Sequence, residues 1–322
     1  MKKTLFFAAV FMITAGMLFA RGGGERERTP LVINTIRGPS GIGMIKLFEH
    51  PPEIPGFAVS IAAFGSQDII AAKLAAGEAA MGILPANVAA KLAASGVPLQ
   101  MAAVTGTGML SLLSSDPAVN SIADLRGKTV EVTGRGATPE YVFRRILLAR
   151  GIEPDRDIIL TFTLSYPEIA QALIAGRIRT ALLPEPFATM ALQGNPAVRQ
   201  IGDVQEEWSR AGGHANYPMT VLVVNGDFAR KNRRAVNRIL EACKTSSEWV
   251  VAHPGEAGAL VEQFELGLRA PVVEAAVPRS NYVFIPAQEA RPAIEALFTV
   301  FLEHDPASIG GALPPGSFYF QD

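Results

Sequence analysis

The feature that most limits what this chain can become is a pattern that occurs twice. Ser66-Gln67-Asp68-Ile69 opens a helical stretch that stops at Gly77, and an apolar run follows to Leu84-Pro85. Ser165-Tyr166-Pro167-Glu168 opens a second such stretch, which stops at Gly176 before an apolar run to Leu183-Pro184. Each landmark has its counterpart 99 residues on: Ser66 and Ser165, Gly77 and Gly176, Pro85 and Pro184. Glycine suits a helix C-terminus because it tolerates positive φ. Ser165 and Glu168 have the spacing of a capping box, with Pro167 inside the first turn. Upstream, the strand-like run from Leu31 to Pro39 matches that from Val130 to Thr138 at the same offset. One large sheet would also contain similar units, but matched helix, Gly, strand and Leu-Pro at one offset favour two related lobes.

Around these landmarks strands and helices alternate. Runs over Leu31–Ile36, Ala58–Ala63, Met81–Leu84 and Gln100–Thr105 read as strands, separated by helical stretches at Ile42–Glu49, Gln67–Ala76 and Val88–Ser95. Such alternation predicts an α/β fold, each lobe a mainly parallel sheet flanked by helices. Beyond the second unit, Met219–Val224 is a β-type run, and Asp227–Val251 and Pro286–Glu303 have helical spacing. These elements have no counterpart in the second unit. The simplest course sends the chain back to the first lobe, so residues 30–107 and 218–322 form one lobe and 108–217 the other. Two crossings, near Thr105–Gly108 and Tyr217–Thr220, then make a hinge.

Composition narrows the partners. The net charge of −1 over 322 residues, with no basic block outside the N-terminus, argues against nucleic acid, which demands clustered Lys and Arg. Cys243 is the only cysteine, so neither an intrachain disulfide nor a multi-thiolate zinc site is available. His50, His214, His253 and His304 show no HxH or HxxxH spacing, and neither a metal nor a cofactor is expected. There is no GxSxG, HExxH or Lys-bearing phosphate loop, and Gly134-Arg135-Gly136-Ala137-Thr138 lacks the GxGxxG spacing.

The first 20 residues have the form of a secretory signal peptide: Lys2 and Lys3, an apolar run from Leu5 to Ala20, then a small residue. The run falls short of the roughly 20 residues of a membrane span. Leu18-Phe19-Ala20 before Arg21-Gly22 has a lipoprotein look, but Arg21 occupies the place of the required cysteine. Residues 21–29 read as a flexible linker. Export to the periplasm or cell surface is the expectation.

Ile122-Ala123-Asp124-Leu125-Arg126-Gly127-Lys128-Thr129-Val130 resembles the entry to the second lobe of type II periplasmic binding proteins. Leu173-Ile174-Ala175-Gly176 followed by Leu183-Pro184-Glu185-Pro186-Phe187 is similar to a segment of one branch: the alkanesulfonate, taurine, nitrate and thiamine-pyrimidine binding proteins. Tyr217-Pro218, and Trp249 with His253-Pro254, fit as well, so the resemblance spans nearly the whole chain after the leader. It implies a monomeric solute-binding protein that hands a small molecule, be it anionic, zwitterionic or a thiamine-precursor-like heterocycle, to an ABC permease and its ATPase. Related scaffolds include thiamine-pyrimidine synthases, similar to this chain in architecture, which makes an enzyme on the same fold the competing reading. Those synthases carry a Cys-rich motif and a reactive His, whereas Cys243 stands alone. The loop Arg37-Gly38-Pro39-Ser40-Gly41-Ile42-Gly43 matches no sulfonate or nitrate signature, so ligand identity is not carried over.

In such a fold strand ends and helix starts face one cleft, and free N–H groups there suit anions. The candidate ligand residues are Arg37, Gly38, Pro39, Ser40, Gly41 and Ile42; Gly65, Ser66 and Gln67; Ala86 and Asn87; Arg135, Gly136, Ala137, Thr138 and Tyr141; Glu185; and Tyr217. All are equally readable as ordinary turn residues. Arg37 and Arg135 occupy equivalent loops, where a planar guanidinium pairs with carboxylate or sulfonate, or lies solvated at the surface. Glu185 reads as a contact for a ligand N–H or ammonium group, as a helix cap, or as a partner of Arg135.

Overall fold

A computed structural model describes residues 28–132, 134–212 and 215–321. The expected leader, Arg21 and His214 lie outside the described residues. Thr29, assigned above to the linker, already pairs in a strand, its N–H donating to the Gly56 carbonyl at 2.9 Å.

The chain begins one sheet with β1 (Thr29–Ile36), β2 (Phe57–Phe64), β3 (Met81–Pro85) and β4 (Leu99–Thr107). It crosses to a second sheet of β5 (Leu110–Ser114), β6 (Thr129–Val132), β7 (Ile159–Thr161), β8 (Thr180–Pro184) and β9 (Arg199–Asp203). It then returns with β10 (Pro218–Asn225) and β11 (Tyr282–Pro286). The spatial orders are β11-β4-β10-β3-β1-β2 and β7-β6-β8-β5-β9. Most strands of each sheet run one way, and β10 and β5, the strands that enter each sheet from a crossing, are antiparallel to both of their neighbours. A strand arriving directly from the other lobe needs no crossover helix, so nothing forces it to be parallel.

In the first lobe the helices are α1 (Pro39–Gly43), α2 (Ile45–Glu49), α3 (Gln67–Ala75) and α4 (Ala86–Ala94). The second has α5 (Thr138–Ala149), α6 (Tyr166–Ile174), α7 (Phe187–Gly194) and α8 (Val204–Arg210). The returning chain adds α9 (Gly226–Lys231), α10 (Arg233–Ala252), α11 (Pro254–Gln263), α12 (Ala270–Ala276) and α13 (Ala287–His304). The repeat is visible position for position: α3 and α6 start and stop 99 residues apart, as do β3 and β8, and Pro39 and Thr138 open α1 and α5. The stretch read as one helix from Asp227 is two, α9 and α10, parted at Asn232.

Apolar side chains of the central strands, such as Ile33, Met81, Val221 and Leu222 in one lobe and Leu112, Val130 and Leu182 in the other, are at most 1% exposed. Burial on both faces is what a helix-covered sheet requires. The two crossings are bonded to each other. Gly108 N–H donates to the Tyr217 carbonyl at 3.0 Å, and Asn216 Nδ2 to Thr107 Oγ1 at 2.8 Å.

Candidate functional site

The loops after β1 and β6 face each other between the sheets and, with the starts of α3, α4, α5 and α6, enclose a cavity of about 550 Å³. Gly38 turns the first loop at φ 105° and Gly134 and Gly136 the second at φ 80° and 72°, values open to glycine. The second loop is clamped from both sides. Gly136 N–H donates to Glu140 Oε2 at 2.7 Å, and its carbonyl accepts from Asn87 Nδ2 at 3.0 Å across the cleft. Glu140 is itself buried and paired with Arg144 at 2.8 Å.

Of the residues expected at the site, Arg37, Gly38, Pro39, Ser40, Gly65, Ser66, Gln67, Asn87, Arg135, Gly136, Ala137 and Thr138 line this cavity. Arg37 and Arg135, both exposed, come to it from opposite lobes. The Arg135 guanidinium lies over the Phe162 ring, 4.6 Å from its centroid, a cation–π contact. Asp68 is the acidic member of the lining. Helix α4 starts without a side-chain cap and with no acidic residue in its first turn, leaving N–H groups and the positive dipole end for an anion, whereas the start of α5 already carries the buried Glu140 carboxylate. The starts of α3 and α6 are already served. Ser66 Oγ accepts from Asp68 N–H at 3.1 Å, and Ser165 and Glu168 form a capping box.

Six expected residues lie elsewhere. Gly41, Ile42 and Ala86 are buried on the inward sides of α1 and α4; a β-carbon on Gly41 would stand 3.0 Å from the Ile36 carbonyl oxygen. Tyr141 runs behind Gly136 into the first lobe, where its hydroxyl donates to Asp305 Oδ2 at 2.9 Å and its ring meets Phe301 edge-on. Tyr217 is sealed in the crossing against Trp208 of α8. Glu185 is 1% exposed with both oxygens committed: Oε1 accepts from Arg279 Nε at 2.8 Å and Oε2 from Thr189 N–H at 3.0 Å. It caps α7 and pairs with Arg279 rather than Arg135.

The apolar wall comes from Tyr166 and Phe187, which stand in the motifs quoted above, and from residues that carried no signal of their own. Phe187 stacks on Tyr166 at 5.8 Å and lies over Gly38, while Met109, Met219, Leu266 and Leu268 complete the lining. Buried Glu131 holds the loop that presents Phe162 and Tyr166, accepting from Thr161 Oγ1, from Thr163 N–H at 2.6 Å and from Leu164 N–H at 3.0 Å.

Two mixed α/β lobes, joined by two crossings and enclosing a polar-ended cavity, define the type II periplasmic-binding-protein fold. The chain belongs to the NMT1/THI5-like family, whose model matches residues 55–257. An ABC transporter structure from Parabacteroides distasonis is similar at 24% identity over 91% of this chain and 99% of that one, TM-score 0.77. The periplasmic aliphatic sulphonate binding protein SsuA of Escherichia coli follows at 19% identity, covering 91% of this chain and 92% of its own, TM-score 0.73. YtlA of Bacillus subtilis, whose name calls it a candidate binding protein, is 25% identical over 129 residues, which are 40% of this chain and 36% of that relative. The match thus spans about a third of that curated relative.

Proposed function

We propose that this chain is an exported, monomeric solute-binding protein that closes on a small organic anion or zwitterion and delivers it to an ABC permease and ATPase. The lobes are residues 30–107 with 218–322, and 108–217; residues 1–20 serve as the leader. The observation that carries this reading is the cavity between equivalent loops of two lobes, lined from both sides by Arg37 and Arg135. Two arginines against one aspartate favour a negatively charged group, and the sulphonate named for the Escherichia coli structure is of that kind. A binding protein is favoured over an enzyme because the Cys243 thiol, in the interior of α10, is pushed up to about 12 by burial, the opposite of an activated nucleophile.

Small-angle scattering of the mature chain, with and without a ligand found by thermal-shift screening, tests the reading. Compaction on saturation is the expected result. A catalytic turnover of that ligand, or an unchanged profile from an open apo state, would count against it. Fractionation of cells that express the full chain tests export.

A further inference from the structure

Asn87, the second residue of α4, is 4% exposed and lines the cavity. Its Nδ2 faces the Gly136 carbonyl at 3.0 Å. Turning the amide over would set oxygen against oxygen, so its orientation is decided by that bond. Oδ1 is therefore committed as an acceptor, and it is buried without a hydrogen-bond partner among the described residues. Oγ1 of Thr138, 1% exposed, at the start of α5 on the other side of the cleft, is likewise buried without a partner among the described residues. Native proteins seldom leave such atoms unpaired, because a buried acceptor gives up its bond to water.

We propose that Asn87 Oδ1 is a specificity determinant that requires a hydrogen-bond donor on the ligand. The ligand class is then an anion or zwitterion that also carries an N–H or O–H group, not a bare oxyanion. A nitrate or an unsubstituted sulfonate at that position would present acceptor to acceptor. Thr138 Oγ1, able to donate or accept, takes either end. One amide thus reads both partners of closure: its oxygen takes the ligand donor while its nitrogen holds Gly136 of the opposite lobe. This inference rests on the solute-binding reading above and goes further only in what it demands of the ligand.

The test is a thermal-shift screen of the mature chain against small soluble acids, zwitterions and heterocycles. The screen is built around matched pairs: 2-hydroxyethanesulfonate with ethanesulfonate, 3-hydroxypropanoate with propanoate, 4-aminobenzoate with benzoate. Calorimetry follows on every pair that shifts the melt. The donor-bearing member is expected to bind roughly tenfold tighter than its partner. Asn87→Ala is expected to bring the pair to parity: the lost bond to Gly136 weakens both members alike, and the donor-bearing member loses its advantage besides; Asn87→Ser serves if the alanine variant melts early. Equal affinities within every pair, or a preference that survives Asn87→Ala, overturn the donor requirement while leaving solute binding intact. A screen in which nothing binds removes the solute-binding reading, and this inference with it.

Discussion

The carboxylate of Glu185, at the end of β8 in the second lobe, meets the guanidinium of Arg279, in the turn after α12 of the first, at 2.8 Å. Glu185 is almost fully buried, while the Arg279 side chain is 41% exposed. The pair ties the lobes together beside the cavity, and Arg279 Nη2 adds a second tie to Gln200 Oε1 at 2.7 Å. Removing Arg279 strands a buried carboxylate, whereas Glu185→Gln keeps an acceptor for the Thr189 N–H. Arg279→Ala should therefore lower stability by about 2–3 kcal/mol, toward the low end because water reaches the arginine. Glu185→Gln should cost about 1 kcal/mol. Urea denaturation of the apo protein checks both. A strong loss of ligand affinity in Glu185→Gln with an unchanged urea midpoint would return Glu185 to the site.

Tyr141→Phe separates a structural tyrosine from a binding one. The variant loses the bond to Asp305 but keeps the ring against Phe301. Stability should fall by about 1 kcal/mol, with ligand affinity unchanged within a factor of two or so of wild type. Calorimetry beside a denaturation curve decides it.

The two cavity arginines should act additively, one from each lobe. Arg37→Ala and Arg135→Ala are each expected to weaken an anionic ligand by roughly five- to thirtyfold, an effect that shrinks as salt rises. Arg135→Lys should recover only part of the loss, because an ammonium has no planar fork to pair with an oxyanion while lying over the Phe162 ring. Titrations at low and high ionic strength measure all three.

Gly38 offers a backbone test. At φ 105° and ψ −140° it occupies a region that side chains avoid, and a β-carbon there would stand 3.6 Å from the Phe187 ring. The space is adequate and the backbone conformation is not. Gly38→Ala should cost about 1–3 kcal/mol in strain and reshape the first loop, so that affinity falls along with the melting temperature.

The pH response has a histidine in it. His304, the last residue of α13, has its pKa lowered from 6.5, first by burial and then by Arg144 and Arg145, against the opposing pull of Glu303 and Glu140. Its ring stacks on Tyr141, and Asp305 follows it in sequence. A depressed pKa means that the unfolded chain takes up the proton first. The contribution is fully present above 6.5 and is lost as pH falls through the lower, folded value. Stability of the wild type should therefore drop on going from pH 7.5 to 5.5, and His304→Gln should flatten that slope. A further loss below about pH 4 belongs to carboxylates such as Asp157 and Asp116, which hydrogen bonds hold below the usual range.

Much of this architecture was written in local chemistry. The paired Gly77 and Gly176, the capping serines and the Leu-Pro strand ends mark two copies of one unit, because caps, turns and periodicity depend on residues a few positions apart. That placed Arg37 with Gly38, and Arg135 with Gly136, in equivalent loops. The family match over residues 55–257 agrees with the resemblance drawn from Ile122–Val130 and Leu183–Phe187. Which side chains finally look into the cavity was another matter. Glu185 has the right position at a strand end, but its oxygens were claimed by Thr189 and by Arg279, 94 residues away. Tyr141 lies one turn from Thr138, yet Asp305, 164 residues on, draws its hydroxyl to the far side of the loop. Leu266 and Leu268 reach the cavity from a C-terminal loop that stands outside the repeat. Backbone conformation follows from neighbours along the chain; the partners of a buried charge or a cavity wall follow from which segments meet in space, and only the packed lobes decide that.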